Sequence, residues 1–234
     1  MRSMKFTALL LCAAIMLASC GTMSNTAKGG IIGGGSGAAA GAIIGGLLGK
    51  GKGAAIGAAI GAGVGTGAGV IIGKKMDKKA AEAAAIANAK VEQITDINGL
   101  PAVKVSFESG ILFGFNSSVL GDQAKASLSE LATILKNDTT TDIAIIGHTD
   151  KVGTYEANVK VSKNRAGSVE NYLESCGVNP AQFKLVDGVA YDQYDESKSA
   201  DENRRVEVYM YASEEMIKQA EMEEKANEHK RRGR

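Results

Sequence analysis

Glycine recurs at every fourth position of this chain from residue 29 to residue 73. A spacing of four places these glycines along one face of an α-helix, where the missing side chains let another backbone approach closely. Each glycine also costs a helix about 1 kcal/mol relative to alanine, so such helices need a packing partner or lipid around them. The register therefore predicts helices that pack against one another through a smooth glycine face.

A cationic break divides this stretch into two equal halves. Lys50 and Lys52 interrupt an otherwise apolar run and leave residues 29–49 and 53–73, 21 in each half. At about 1.5 Å per residue each half would extend about 31 Å, close to the ~30 Å hydrocarbon core of a bilayer. We predict a membrane-associated glycine-zipper helical hairpin over residues 29–73, with a surface for homo-oligomerisation. A soluble glycine-packed hairpin and a flexible linker are the alternatives.

The first 19 residues have the pattern of a secretory signal peptide. A positively charged start and an apolar run precede the sequence Leu-Ala-Ser-Cys, which ends at Cys20. That sequence resembles a bacterial lipobox, which implies cleavage before Cys20 and acylation of the cysteine. Several acyl chains, at ~0.8 kcal/mol per buried CH₂, anchor a protein stably. We expect a signal peptide over residues 1–19, an acylated linker over 20–28 and attachment to outer-membrane lipid through Cys20.

Charge and cysteine content exclude two classes of protein. The formal net charge is +1 and the chain lacks a basic stripe of the kind that binds nucleic acid, so no nucleic-acid partner is expected. Three cysteines are present, of which Cys12 leaves with the signal peptide and Cys20 carries lipid. The remaining Cys176 precedes Gly177 at a predicted helix end, where a packed, unreactive thiol is expected. No internal disulfide follows.

Alternating hydrophobicity from residue 93 onward predicts a globular domain over residues 93–212. A strand hairpin around Asn98-Gly99-Leu100-Pro101 is followed by helices over 122–136 and 156–175 and by strands over 143–146, 184–189 and 205–211. This order predicts an α+β fold, a two-layer α/β sandwich in which a small mixed sheet carries helices on one face. Residues 74–92 predict a helical spacer leaving the membrane surface. Residues 213–234 predict a charged, solvated helical tail.

Three short motifs in this domain carry a family resemblance. They are Gly-His-Thr-Asp ending at Asp150, the set Asn158, Ser162 and Arg165-Ala166 with Val169, and Asn-Arg-Arg-Val-Glu-Val from residue 203 to 208. Together they look like the peptidoglycan-binding OmpA-like domain. Residues 111–120 are similar to that family's first strand and turn. The loop at 189–192 departs from the family's usual GxGxxxP pattern, and Val161 stands where the family usually has leucine.

The resemblance implies a pocket for the diaminopimelate of peptidoglycan stem peptides. The free end of that residue carries an ammonium and a carboxylate on one carbon. The resemblance assigns the ammonium to Asp150 and the carboxylate to Arg165, whose guanidinium can bind in a two-pronged fork. The other positions that it places around the pocket are Asn116 and Asn158 as neutral hydrogen-bonding groups, Phe115 and Val161 as walls, and Arg204 and Arg205 at the mouth, where one can face the pocket and the other solvent. An ordinary ion pair between Asp150 and Arg165 is the alternative.

Catalytic and metal-binding patterns are weak in this sequence. His148 lies near Asp142 and Asp150, but the next histidine is His229 and no cysteine is close, so a metal site is not expected. A GxSxG nucleophile motif is absent. We expect a protein without enzymatic activity or cofactor: an outer-membrane lipoprotein whose periplasmic domain binds peptidoglycan and tethers the membrane to the wall. The alternative is an oligomeric membrane-associated assembly or pore that the wall-binding domain positions.

Overall fold

Five strands form one mixed sheet. The structure, a computed structural model, describes residues 66–96, 99–114 and 117–233. The strands are β1 (Lys90–Thr95), β2 (Pro101–Glu108), β3 (Thr141–Gly147), β4 (Phe183–Gly188) and β5 (Arg205–Ala212), and their spatial order is β1-β2-β5-β3-β4. β3 and β4 are parallel, whereas the other neighbours are antiparallel. The predicted fold class is confirmed.

The helices of the described residues are α1 (Thr66–Ala83), α2 (Ser109–Leu112), α3 (Asp122–Lys136), α4 (Tyr155–Ser175), α5 (Ala200–Asn203) and α6 (Glu214–Arg232). α3 has the predicted bounds, and α4 begins one residue earlier than predicted. The hydroxyl of Thr154 caps α4 by accepting a hydrogen bond from the amide of Ala157 at 3.3 Å. Gly177, with φ of 92°, follows the helix end as predicted.

The main core lies between one sheet face and the four long helices. Ile143 and Ile145 of β3 point to this face, opposite Met210 and Val208 of β5. Helix α3 adds the buried side chains Ala124, Leu128, Leu131 and Leu135. The opposite sheet face carries a smaller buried cluster that includes Ala144, Ile146 and Tyr209. Alternation along each strand therefore serves two clusters, because successive side chains point to opposite faces.

Helix α4 contacts the sheet backbone to backbone at two glycines. A Cβ atom on Gly147 would lie 2.1 Å from the carbonyl oxygen of Ser162, and one on Gly188 would lie 2.2 Å from the amide nitrogen of Lys163. The hydroxyl of Ser162 also accepts a hydrogen bond from the amide of Ala190 at 3.1 Å. Only glycine permits this approach, so Gly147 and Gly188 set the height of α4 above β3 and β4.

Helix α1 crosses the predicted boundary between the hairpin (29–73) and the spacer (74–92). Ala68, Ile72 and Met76 are buried, and the helix packs against β2, α3 and α6. Lys79 is 5% exposed, and its ammonium lies 3.1 Å from a carboxylate oxygen of Asp138. Residues 74–83 are thus helical, as the predicted spacer is, but they pack into the core, because Ala68, Ile72, Met76 and Ala80 form an apolar stripe that repeats every four positions.

This packing bears on the second predicted membrane segment, residues 53–73. Its last residues, from Ala68 to Gly73, lie in α1, which packs against β2, α3 and α6. Residues 53–65 lie outside the described residues, so the membrane association of this segment stays a prediction. Among the residues that the structure describes, no helix combines the length and apolar character that crossing a membrane requires.

The predicted start of the globular domain also differs from the structure. Strand β1 begins at Lys90, so the predicted domain start at residue 93 falls inside a strand. The predicted signal peptide over 1–19, the lipidation at Cys20, the linker over 20–28 and residues 29–65 of the hairpin lie outside the described residues.

The tail helix α6 is confirmed as a helix but is not wholly solvated. Met216, Ile217 and Ala220 are buried against the domain, and the hydroxyl of Ser213 caps the helix by accepting a hydrogen bond from the amide of Met216 at 3.1 Å. The prediction of a solvated tail over 213–234 is wrong for this first half, because its apolar side chains fall on one face next to α1. Residues 225–233 are exposed throughout.

The glycine contact predicts a sharp difference between two glycine substitutions. Gly147→Ala should lower the free energy of unfolding by about 3 kcal/mol, because the added methyl overlaps the backbone of α4. Gly167→Ala on α4 itself meets no atom within 4 Å and should raise it by about 0.5–1 kcal/mol, since alanine favours the helix. Urea unfolding of both variants measures this difference. Equal stabilities would contradict the proposed contact.

Candidate binding site

A tight turn after β3 carries Asp150 and leads into α4. The amide of His148 donates to the carbonyl of Arg205 and that of Thr149 to the carbonyl of Ala190, both at 2.9 Å. One carboxylate oxygen of Asp150 accepts a hydrogen bond from the amide of Val152 at 3.0 Å. Gly153 then takes a φ of 91°, which glycine adopts without strain. Asp150 is thus held at the carboxyl end of a central strand.

Arg165 lies one turn of α4 beyond the close contact at Ser162 and is buried. Its Nε donates to the carbonyl of Ser117 at 3.1 Å, and its guanidinium carbon lies 5.3 Å from the centre of the Phe113 ring. Burial lowers the pKa of Arg165, the neighbouring charge of Arg204 lowers it further, and Asp150 opposes both effects. The two terminal nitrogens of Arg165 form no hydrogen bond with another described residue, so they remain able to bind an anion.

Arg204 completes the charged cluster. Its guanidinium forms ion pairs with Asp150 and with the exposed Asp201, one through each terminal nitrogen. The alternative of an ordinary ion pair between Asp150 and Arg165 is therefore not what the structure shows. We name Asp150, Arg165 and Arg204 the charged triad. It combines two guanidinium groups with one largely buried carboxylate.

The remaining predicted site residues on α4 have different roles. Asn158 is buried, and its amide nitrogen donates to the carbonyls of Val152 at 2.9 Å and Thr154 at 3.0 Å. It therefore fixes the turn that carries Asp150. Val161 is half-buried on the same helix.

The loop that departs from the family pattern packs against the start of α4. The rings of Tyr155 and Tyr191 meet edge to face with centres 5.4 Å apart, and the hydroxyl of Tyr155 donates to Asp192 at 2.9 Å. Contacts of Tyr155 with Tyr191 and Asp192, rather than the family's usual loop sequence, thus hold this loop beside the turn that carries Asp150.

Phe115 and Asn116 lie outside the described residues. The segment around them differs from the predicted strand and turn, because residues 109–112 form the short helix α2 and Phe113 pairs with Leu120 in an isolated antiparallel bridge. This bridge places Phe113 and Ser117 next to Arg165.

Arg205 does not join the triad. Its Nε donates to Glu207 at 2.8 Å, and one terminal nitrogen donates to the carbonyl of Asn203 at 3.2 Å. Because neighbouring strand residues point to opposite faces, Arg204 and Arg205 diverge. Of the two arginines that were expected at the mouth, Arg204 lies in the triad and Arg205 points away from it. Arg205 instead borders a cleft of about 240 Å³ with Glu92, Lys104 and Glu207.

Glu207 is the centre of a buried polar network behind the turn. It accepts hydrogen bonds from Tyr209 at 2.5 Å and from Arg205, and its other neighbours are His148 Nε2 at 3.0 Å and Lys104 at 3.9 Å. Burial raises the pKa of Glu207, but these donors and cations outweigh burial and hold it well below its usual range. Burial lowers the pKa of His148, which Glu207 only partly opposes. Glu207 is therefore ionised and His148 neutral.

Sequence reasoning missed Asp201, Ser117 and Phe113 as neighbours of the site. Asp201 lies three residues before Arg204 in the one-turn helix α5, which Ser199 and Glu202 close with a reciprocal capping box. The Ser-x-x-Glu pattern at Ser199 and Glu202 could have predicted this helix from the sequence. The contacts of Ser117 and Phe113 with Arg165 span about fifty residues, and no sequence pattern predicts them. No group of metal-ligating side chains is assembled within the described ranges.

Two family models match this chain, one over each of its parts. Residues 112–226 match the family model of the OmpA family, and residues 1–77 match that of the YMGG-like Gly-zipper. Outer membrane protein A of Bordetella avium is 31% identical over 115 residues, which span 48% of this chain and 59% of that protein. The chain thus spans less than two thirds of that relative's length.

Two solved structures extend the comparison. The peptidoglycan-associated lipoprotein from Burkholderia pseudomallei is 31% identical and matches over 43% of this chain and 87% of its own, with a TM-score of 0.39. A putative MotB-like protein from Desulfovibrio vulgaris is 20% identical and matches over 62% of this chain and 96% of its own, with a TM-score of 0.52, which is a likeness of fold. The chain belongs to the OmpA family and carries a YMGG-like glycine zipper before its OmpA domain.

The Glu207 network predicts that acid destabilises the domain. Below the usual histidine pKa of 6.5, His148 binds a proton in the unfolded chain but not in the folded chain, where its pKa is lower. The free energy of unfolding should therefore fall as the pH drops. Glu207 adds a further loss below its usual pKa of 4.5. Urea midpoints measured across this range should fall toward low pH, and His148→Gln should flatten the decline between about pH 5 and 7. His229→Gln, at an exposed position, is the control and should leave the decline unchanged.

Proposed function

We propose that this protein binds peptidoglycan non-covalently through the charged triad and takes the diaminopimelate end of the stem peptide as its ligand. The observation that carries the proposal is the presence, in one cluster, of a fixed carboxylate on Asp150 and of a buried Arg165 whose terminal nitrogens form no hydrogen bond with another described residue. The ligand's ammonium would bind Asp150 and its carboxylate would bind Arg165. The triad holds two positive charges and one negative, which favours a ligand that brings a carboxylate over a simple amine.

Binding without turnover fits the chemistry of this cluster. The guanidinium groups of Arg165 and Arg204 can donate hydrogen bonds but not accept them, and Asp150 forms an ion pair with Arg204 and accepts a hydrogen bond from the amide of Val152. A nucleophilic mechanism would need a hydroxyl, thiol or amine beside a base that takes its proton, and the triad contains no such nucleophile. We therefore assign the protein a structural role in the cell envelope.

The N-terminal region supplies the second half of the proposed role. The lipobox-like sequence at Cys20, the glycine-zipper match and the outer-membrane relatives support attachment to the inner surface of the outer membrane. With the OmpA domain on the wall and the acylated N-terminus in lipid, the chain would tether the outer membrane to peptidoglycan. The second candidate, an oligomeric glycine-zipper assembly positioned by the wall, is favoured by the same unbroken glycine register.

The proposal predicts loss of wall binding in two variants. Asp150→Asn and Arg165→Gln should each weaken co-sedimentation of the protein with purified insoluble peptidoglycan by at least about thirtyfold, since an unpaired charge at such a contact costs about 2 to 5 kcal/mol. Binding curves with increasing peptidoglycan measure the effect. The matched controls are Asp122→Asn and Lys163→Gln, exposed charges on α3 and α4, which should bind as the unmodified protein does. Wild-type binding by both site variants would overturn the assignment.

Lipidation is tested separately. Cys20→Ser should remove the acceptor for the acyl groups, so cells fed a clickable fatty acid should no longer label the protein. The variant should also leave the membrane fraction or remain uncleaved, while its OmpA domain still binds peptidoglycan. Cys176→Ser is the control and should still be labelled. Label on the Cys20→Ser protein would contradict the proposed anchor.

A further inference from the structure

Helix α6 divides into two halves of opposite charge. Residues 214–224 contain five glutamates and one lysine, a net charge of −4, whereas residues 225–233 contain four basic side chains and one glutamate, a net charge of +3. The burial of α6 also changes at residue 225. The buried side chains of α6 all belong to the first half, and every residue from 225 to 233 is exposed.

The direction of α6 is fixed by contacts at both ends of α1. Near the end of α1, Lys79 pairs with Asp138, and close to it the amide of Ser213 donates to the carbonyl of Thr140 at 3.1 Å. At the start of α1, the amide of Gly67 donates to Glu224 at 2.8 Å. The two helices are therefore antiparallel, and Glu224 reaches the level of the first residues of α1.

The basic half of α6, residues 225–232, consequently projects past the start of α1. Eight helical residues at about 1.5 Å each extend about 12 Å beyond the packed region. They point to the side of the domain where residues 1–65 join it. No apolar stripe runs along this half, so its surface suits electrostatic attraction rather than insertion into hydrocarbon.

We propose that the basic half of α6 binds the anionic headgroups of the membrane in which the N-terminal region is anchored. Two observations select a lipid surface as the partner. The net positive charge of α6 lies on the segment that projects beyond the domain, and that segment projects toward the point where the lipid-directed part of the chain enters. The proposal rests on the membrane attachment in the proposed function. It is independent of the charged triad.

Hydrogen exchange of the intact acylated protein in vesicles tests the proposal. In phosphatidylcholine vesicles the amides of residues 225–233 should exchange rapidly, because no described residue packs over that half of the helix. In vesicles that also contain phosphatidylglycerol the exchange should slow by on the order of tenfold or more, and high salt should reverse the effect. Mass spectrometry of the C-terminal peptides measures both rates.

A triple variant identifies the charges responsible. Replacing Lys230, Arg231 and Arg232 together by glutamine should abolish the slowing in anionic vesicles while wall co-sedimentation stays unchanged. The matched control replaces Lys125, Lys136 and Lys160, three exposed lysines on α3 and α4, and should keep the slowing.

Two results would overturn the proposal. One is equal exchange of residues 225–233 in the two kinds of vesicle, whether it is fast in both or slow in both; slow exchange in both would mean that another part of the protein covers the helix. The other is slowing in anionic vesicles that survives the triple substitution. Vesicle flotation and peptidoglycan co-sedimentation of the same samples show separately whether membrane attachment and wall binding hold.

Discussion

The contact of α4 with the two glycines is the constraint on which the candidate site depends. Gly147 is the last residue of β3 and Gly188 is the last of β4, so α4 approaches the sheet at the carboxyl ends of its two parallel strands. Asn158 precedes Ser162 by one turn, and Arg165 follows it by one turn. The connection from Gly147 to α4 must close within this short span, which brings Asp150 to the same edge. A steric contact between backbones thus positions both charges of the pocket.

The triad also shows how a charged pocket is maintained in a folded protein. Asp150 is compensated by Arg204, and Arg204 is shared with Asp201. Arg165 is supported through its Nε and its stacking on Phe113, which leaves its outer edge for a ligand. An arriving ammonium group would compete with Arg204 for Asp150. Arg204 would keep its ion pair with Asp201 while the ligand's ammonium replaced it at Asp150. No guanidinium group would then be left without an anionic partner.

The sequence predicted those parts of the fold whose periodicity is strong. Helices α3 and α4 and the central strands have clear patterns because each buries an apolar face, and the motif at Asp150 and Arg165 located the two charges. Residues of α1 were predicted to be helical, but the packing of α1 against the domain was not, because three of its buried side chains are alanines and the glycine repeat continues into it. The sequence left open which of Arg204 and Arg205 faces the other charges, since only the folded chain pairs Arg205 with Glu207. The support of Arg165 by Ser117 could not be predicted, since only the folded chain brings them together.

The antiparallel packing of α1 and α6 has a mechanical consequence. Ile72 and Met76 are buried on α1, and the whole helix lies between the N-terminal region and the sheet. A pull at Thr66 along the axis of α1 would load all its buried contacts together, in shear, whereas a pull across that axis would separate them one after another. A helix loaded in the first geometry resists far more force. The mechanical strength of the link through α1 would therefore depend on the angle between the applied force and the axis of that helix.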